Sequence, residues 1–264
     1  MYWFYELPVW ISLPGFVVAF VLLSIGILLA LRPWVRRKAK TVDQWDRFLD
    51  YSSTSYGIIY GIVLGLIAVS VYENYVSVHE VVLAETGALA DLFRNASGYP
   101  EPWAGEIQNH LRAYTVHVVT VDWPLMQAGG DPDTTDDLIT PLQQTIFAFE
   151  PETAGEQAVH QETLRSFGAF VTARRQRIDE VDLALPPLLW VVLATGAVIN
   201  AVLISLIDST SVRVHILMLS LISIFVALTL YVMIALDHPY AGVISIGSED
   251  FEDLFVNVMG DGGP

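Results

Sequence analysis

Four long runs of uncharged, apolar residues constrain this chain more than any other feature. The first extends from Pro8 to Leu31, 24 residues without a charge. At about 1.5 Å of helical rise per residue it covers roughly 36 Å, enough to cross a hydrocarbon core of about 30 Å. Pro14-Gly15 predicts a kink within it. The second runs from near Ser55 to about Ser77, with an uncharged core from Tyr51 to Tyr72. The third is Pro186 to Ile207, stopped by Asp208, and the fourth is His215 to Leu236, stopped by Asp237. Only seven residues, Asp208 to Val214, join the last two, which predicts an antiparallel hairpin. A cleaved signal peptide does not fit the first run: no basic stretch precedes it, and the basic cluster follows it.

Composition agrees with several membrane spans plus one modest soluble region. Hydrophobic residues make up 53% of the chain and charged residues 16%, against about 25% charged in an ordinary soluble domain. The absence of cysteine excludes disulfides, thiolate metal sites and cysteine nucleophiles. With 13 basic against 29 acidic residues the net charge is −16, which argues against a nucleic-acid partner, since phosphate contacts need a basic face.

The Lys and Arg bias sets the expected orientation. Six of the 13 basic residues, Arg32, Arg36, Arg37, Lys38, Lys40 and Arg47, fall in the loop after the first run. That loop is expected in the cytoplasm of a bacterial cell, with the protein in its inner membrane. Both termini and residues 78–185 then lie outside the cell.

The acid excess concentrates between Glu73 and Asp182, where 18 acidic residues face six basic ones, a net of −12. The helical pattern of the second run continues past the membrane: Val78, Val81, Val82, Glu85, Leu89, Leu92 and Phe93 recur at spacings of three and four. The Asn95 to Pro100 stretch then breaks it. Further helices are expected from Pro102 to Trp123, near Asp136 to Phe149, and from after Pro151 to about Asp182. In the tail, Gly242 to Gly247 reads as a short strand, and Ser248 as the N-cap of a short helix through Phe251, Leu254 and Phe255. The expected fold is therefore an all-α membrane protein: four transmembrane helices with a helical extracytoplasmic subdomain between the second and third spans. The expected divisions are 1–54 (first span and basic loop), 55–95 (long second helix), 96–185 (outer subdomain), 186–236 (transmembrane hairpin) and 237–264 (outer tail).

Three groups of residues stand out as candidate sites. Ser53, Gly57, Gly61 and Gly65 recur every four residues on the second helix. Such a stripe lets another helix backbone approach closely, within or between subunits, and it equally suits the lining of a pore. Asn200 is the most polar residue deep in a span, and counting from the cytoplasmic ends puts it level with Gly61; it either bonds a neighbouring helix or borders a watery path. Glu73 and Glu80, seven apart at the outer end of the second span, would form two acidic rings around an axis of identical helices and draw cations. They serve equally as ordinary hydrated acids. His110 and His117 are also seven apart, about 10 Å along a helix, too far for one metal ion without a third element. Trp103 and Trp123 are expected to pack the outer subdomain or touch the membrane surface. No nucleophile elbow, P-loop or dinucleotide fingerprint occurs.

Two stretches resemble a known family. One holds Arg174, Arg175, Arg177, Pro186, Pro187 and Trp190; the other holds Asp237, His238, Pro239, Tyr240 and, further on, Phe251. Together they resemble the bacterial bestrophin-like domain family, multi-pass membrane proteins of unknown function, over about Arg32 to Phe255. The family usually shows Arg, Pro and Phe where this chain has His238, Pro239 and Tyr240. The resemblance implies a distant kinship with bestrophins, which are pentameric chloride-conducting channels with four spans in eukaryotes. The bestrophin pore aromatics and calcium clasp have no match here, so neither is carried over.

These readings lead to an oligomeric ion channel or channel-like protein, with the acids favouring cations. The alternative is a non-conducting scaffold or envelope sensor that binds a partner through its acidic outer part. No enzyme activity and no cofactor are expected, and the expected partners are the lipid bilayer, further copies of the chain and ions. The negative charge also fits a halophile's surface or a genome-wide habit.

Overall fold

The computed structural model describes residues 8–38, 45–130, 132, 136–181, 184–209, 211–242 and 244–260. Every regular element among the described residues is helical. In chain order they are α1 (Val9–Lys38), α2 (Trp45–Ala96), α3 (Trp103–His117), a π-helical turn (Val118–Asp122), α4 (Trp123–Gln127), α5 (Asp136–Ala148), α6 (Ala154–Asp179), α7 (Pro187–Ser205), α8 (Val212–Leu236) and α9 (Glu249–Asn257). They form two units. One comprises the chain up to Glu73 together with Ala184–Asp237; the other comprises Asn74–Leu183 together with His238–Pro264. Helix α2 contributes to both.

The span unit holds α1, the first part of α2, α7 and α8, the four helices long and apolar enough to cross a membrane. Helix α1 packs on α8 and α7, and α7 packs on α8. Tyr60, Leu64, Ile67 and Val71 of α2 share a core with Leu193 and Ala197 of α7 and Val226, Leu230 and Met233 of α8. The outside is also apolar, with Ile58, Ile62, Leu66, Leu221 and Phe225 exposed, as lipid-facing helices require. Hydrocarbon offers no hydrogen bonds, which favours hydroxyls bonded within the protein. Tyr56 Oη donates to the Gly196 carbonyl (2.8 Å), Tyr60 Oη donates to the Leu193 carbonyl (3.1 Å), and Ser12 Oγ meets Tyr231 Oη at 2.7 Å. Gly196 makes this approach feasible: a Cβ there would collide with the Tyr60 ring. Asp237, just past the end of α8, accepts hydrogen bonds from the Leu185 amide (2.7 Å) and from Trp190 Nε1 (3.1 Å), tying that end to the start of α7.

The second unit is built from the last part of α2, α3 to α6 and α9. Its core includes Val78, Val82, Leu89 and Leu92 of α2, Ile107 and Leu111 of α3, Phe170 of α6 and Phe251 of α9. Helix α6 opens with a reciprocal cap. Thr153 Oγ1 accepts from the Glu156 amide (3.1 Å), while Glu156 Oε2 accepts from the amides of Thr153 (3.1 Å) and Glu152 (2.8 Å). Those backbone donors lower the Glu156 carboxyl pKa.

Several expectations are corrected. Helix α2 begins at Trp45, ten residues before Ser55. The apolar run marks where membrane contact starts, whereas nothing between Trp45 and Tyr56 breaks a helix. The helix expected from Pro102 to Trp123 is interrupted by the π turn and continues past Pro124 to Gln127. Pro124 sits in the first turn of α4, where its missing N–H costs nothing. The described part of the Gly242 to Gly247 stretch is not a strand: Gly242 takes a left-handed φ of 92°, and the Ile246 amide bonds back to the Pro239 carbonyl (2.8 Å). A strand needs a partner ladder, and none of the described residues supplies one.

Candidate functional site

The three glycines of the small-residue stripe lie on a face of α2 that the described residues leave open. Gly57, Gly61 and Gly65 are exposed, and a Cβ built on any of them would meet nothing within 4 Å. Ser53 is half-buried, and its Oγ has no hydrogen-bond partner among the described residues. Helix α2 thus meets α7 at Gly196 through the Tyr56 and Tyr60 side chains, and not through its own glycines. The hydrogen-bond register of Tyr60 on Leu193 and Tyr56 on Gly196 sets the depth of Asn200. Lying one turn beyond Gly196, Asn200 is level with Ser53 and not with Gly61. Asn200 is half-buried and makes no hydrogen bond among the described residues. Between α2 and α7 lies an apolar groove of about 340 Å³, bordered by Tyr56, Tyr60, Val63, Val191 and Gly196. Glu73 and Glu80 are both exposed.

The second unit holds a cluster that the sequence pattern did not expose. Arg177 of α6 is completely buried. Its Nε donates to Glu85 Oε2 at 2.6 Å, and its Nη2 reaches Glu85 Oε1 (3.4 Å), Tyr114 Oη (3.3 Å) and Asp122 Oδ2 (3.4 Å). Tyr114 Oη donates a 2.5 Å hydrogen bond to Glu85 Oε1. The guanidinium also lies 5.9 Å from the Trp123 ring and 5.8 Å from the Phe251 ring. Tyr240 packs edge-on against Trp123, whose Nε1 donates to the Ile246 carbonyl at 3.2 Å. His117 Nε2 approaches Asp122 Oδ1 at 3.5 Å from the more open side.

Local geometry explains how these groups meet. The π turn adds width where Val118–Asp122 passes the core, and it aims Asp122 and Trp123 inward together. Burial lifts the Tyr114 pKa well above the ordinary phenol value, and the Glu85 charge lifts it further, so Tyr114 remains a donor. Burial acts against the charge of Arg177, yet Glu85 and Tyr114 overcome it and the net shift is upward. Burial also raises Tyr240 and Glu180. The cluster is a dehydrated ionic lock joining α2, α3, the π turn, α6 and the tail.

The residues behind the family resemblance meet in space. Arg177 from the first stretch faces Phe251 from the second, and Trp190 from the first donates to Asp237 from the second. Pro239 is buried and its carbonyl closes the turn to Ile246, whereas Arg175, Pro186 and Pro187 are exposed; Arg174 is buried one turn before Arg177. The Bestrophin-like domain matches residues 18–251. The chain belongs to the bestrophin-like domain family. Solved structures share the fold of this bestrophin-like protein. A substituted bacterial bestrophin homologue from Klebsiella pneumoniae has a TM-score of 0.65 at 14% identity, covering 95% of this chain and 100% of that one. A second variant of a Klebsiella pneumoniae bestrophin homologue has a TM-score of 0.61 at 14% identity, covering 94% and 99%. A variant described as a membrane protein has a TM-score of 0.61 at 14% identity, covering 95% and 99%. No curated protein matches the chain.

Glu85, Tyr114 and Asp122 are the residues that sequence reasoning missed. One signal was present: Glu85 stands in the apolar stripe of Val78, Val82, Leu89 and Leu92, where a lone acid needs a buried partner.

Proposed function

We propose that this bestrophin-like protein is an oligomeric, channel-like protein of the bacterial inner membrane. The observation that carries the reading is the open face of α2. Gly57, Gly61 and Gly65 have open space over them among the described residues, with Ser53 half-buried one turn before Gly57. Association in lipid relies on close packing of small residues, so copies of α2 gathered about an axis would use this stripe. Asn200 and Ser53 lie at one level and would supply polar groups near that assembly. Glu73 and Glu80, exposed on the same helix, would ring the mouth and favour cations over anions. The basic loop puts the α1–α2 connection in the cytoplasm. Residues 78–185 and both termini are then outside, with 96–185 as the body of the outer subdomain and 237–264 as its tail. The fold shared with bacterial bestrophin homologues supports the channel reading.

Ion flux through bilayers containing the purified protein tests it. Discrete currents with a cation preference are expected, and Glu73→Gln should weaken that preference. Folded, oligomeric protein that passes no current at any salt or voltage would overturn it in favour of a non-conducting scaffold or sensor acting through the acidic unit.

A further inference from the structure

We infer that the end of the spans where α1 gives way to α2 is a headgroup site for anionic phospholipids. The platform is built from three helix ends. The Trp34 and Trp45 rings meet edge-on with centroids 6.0 Å apart, joining the last turns of α1 to the first turn of α2. Trp45 Nε1 donates to the Leu206 carbonyl at 3.3 Å, adding the C-terminal end of α7.

Cations and rings alternate on this platform. Arg36 and Arg47 are exposed and Arg32 is half-buried; none of the three makes an ion pair or hydrogen bond among the described residues. Phe48 and Tyr51 are 72% and 76% exposed, and Trp34 is 48% exposed. Aromatic rings settle at the headgroup level while Arg and Lys meet lipid phosphates, so both halves of the pattern belong to one surface. Charge separates this surface from the rest of the chain. Residues 32–50 carry six basic against three acidic side chains, Asp43, Asp46 and Asp50, while the whole chain carries 13 against 29.

Helix electrostatics explains only part of the pattern. Arg36 near the C-terminal end of α1 complements that helix's dipole, but Arg47 in the first turn of α2 opposes its own. Arg47 therefore calls for an anion from outside the chain. A free phosphate would satisfy the charge and leave Phe48 and Tyr51 in water. A phospholipid supplies phosphate and apolar cover together, at the level where spanning helices end.

Thermal unfolding of the full chain in neutral micelles tests the site. Phosphatidylglycerol should raise the midpoint, whereas phosphatidylcholine and inorganic phosphate at equal concentration should not. The Arg36→Gln/Arg47→Gln pair should unfold as the wild type does without lipid and should lose the rise. Its affinity for phosphatidylglycerol should drop by roughly tenfold or more, at about fivefold per cation. The Arg36→Lys/Arg47→Lys pair should keep the rise. An equal rise with phosphatidylcholine, a rise with phosphate alone, or an undiminished rise in the glutamine pair would each overturn the inference. None of these outcomes depends on conduction, so the lipid site and the channel reading fail separately.

Discussion

The two units solve the burial of polar groups in opposite ways. In the span unit the polar contacts between helices are uncharged along the spans, with tyrosine hydroxyls on the carbonyls of Gly196 and Leu193 and Ser12 on Tyr231, and its buried carboxylate, Asp237, sits just past the end of α8. In the second unit a guanidinium and two carboxylates are completely buried at its centre. The surfaces reverse this, apolar around the spans and rich in acids elsewhere. The outside medium accounts for the difference. Between helices in lipid there is little hydrophobic driving force, so cohesion comes from close packing against small residues, as where the Tyr60 ring lies over Gly196. In the second unit, burial of Trp123, Phe170 and Phe251 offsets the dehydration of Arg177, and five acceptor atoms on Glu85, Tyr114, Asp122 and Met126, the last at 3.4 Å, share its donors.

The largest effect should come from breaking the ionic lock. Arg177→Met leaves Glu85 and Asp122 dehydrated without their guanidinium, a loss of about 3–5 kcal/mol. Chemical unfolding followed by tryptophan fluorescence measures it; a loss below the cost of an ordinary surface substitution would show the lock to be dispensable.

Glycine substitutions sharpen the contrast within α2's surroundings. Gly196→Leu drives a side chain into Tyr60 and should cost about 1–3 kcal/mol, seen as a lower unfolding midpoint in detergent. A Cβ at Gly61 meets no described residue within 4 Å, so in Gly61→Leu that midpoint should hold while the protein elutes as a smaller species on a sizing column. Equal behaviour of the two variants would remove the distinction between internal and intersubunit packing.

The smallest effect concerns the cap of α6. Backbone donors hold the Glu156 pKa down, so its stabilisation is complete above the unfolded carboxylate value of about 4.3 and disappears as pH falls through the lower folded value. Wild type should exceed Glu156→Gln in stability at neutral pH, and the gap should close in acid. A gap independent of pH would assign the effect to packing.

Much of this architecture was legible residue by residue. The span from Pro8 onward, the stop at Asp237 and the acidic first turn of α9 all follow from local chemistry, although Ser248 at its start bonds Glu252 and makes no side-chain cap. The short helix from Asp136 and the capped helix after Pro151 were visible for the same reason. The start of α2 at Trp45 was not, because a helix that leaves the membrane keeps its backbone pattern while losing its apolar one. The candidate stripe was legible as spacing, but its open side was not, since only the position of α7 shows that Gly196 and not Gly61 carries the internal contact. Glu85 was hidden by its company, read as one more position of an apolar face.

By itself the sequence determined four spans, an all-helical chain and an uneven charge distribution, because hydropathy and helical period act over neighbouring residues. The tertiary structure alone decided which polar groups meet. Glu85 lies 92 residues from Arg177, and Asp237 lies 52 residues from Leu185. The energy of such pairs exists only once distant segments have dehydrated one another, and no local pattern encodes that event.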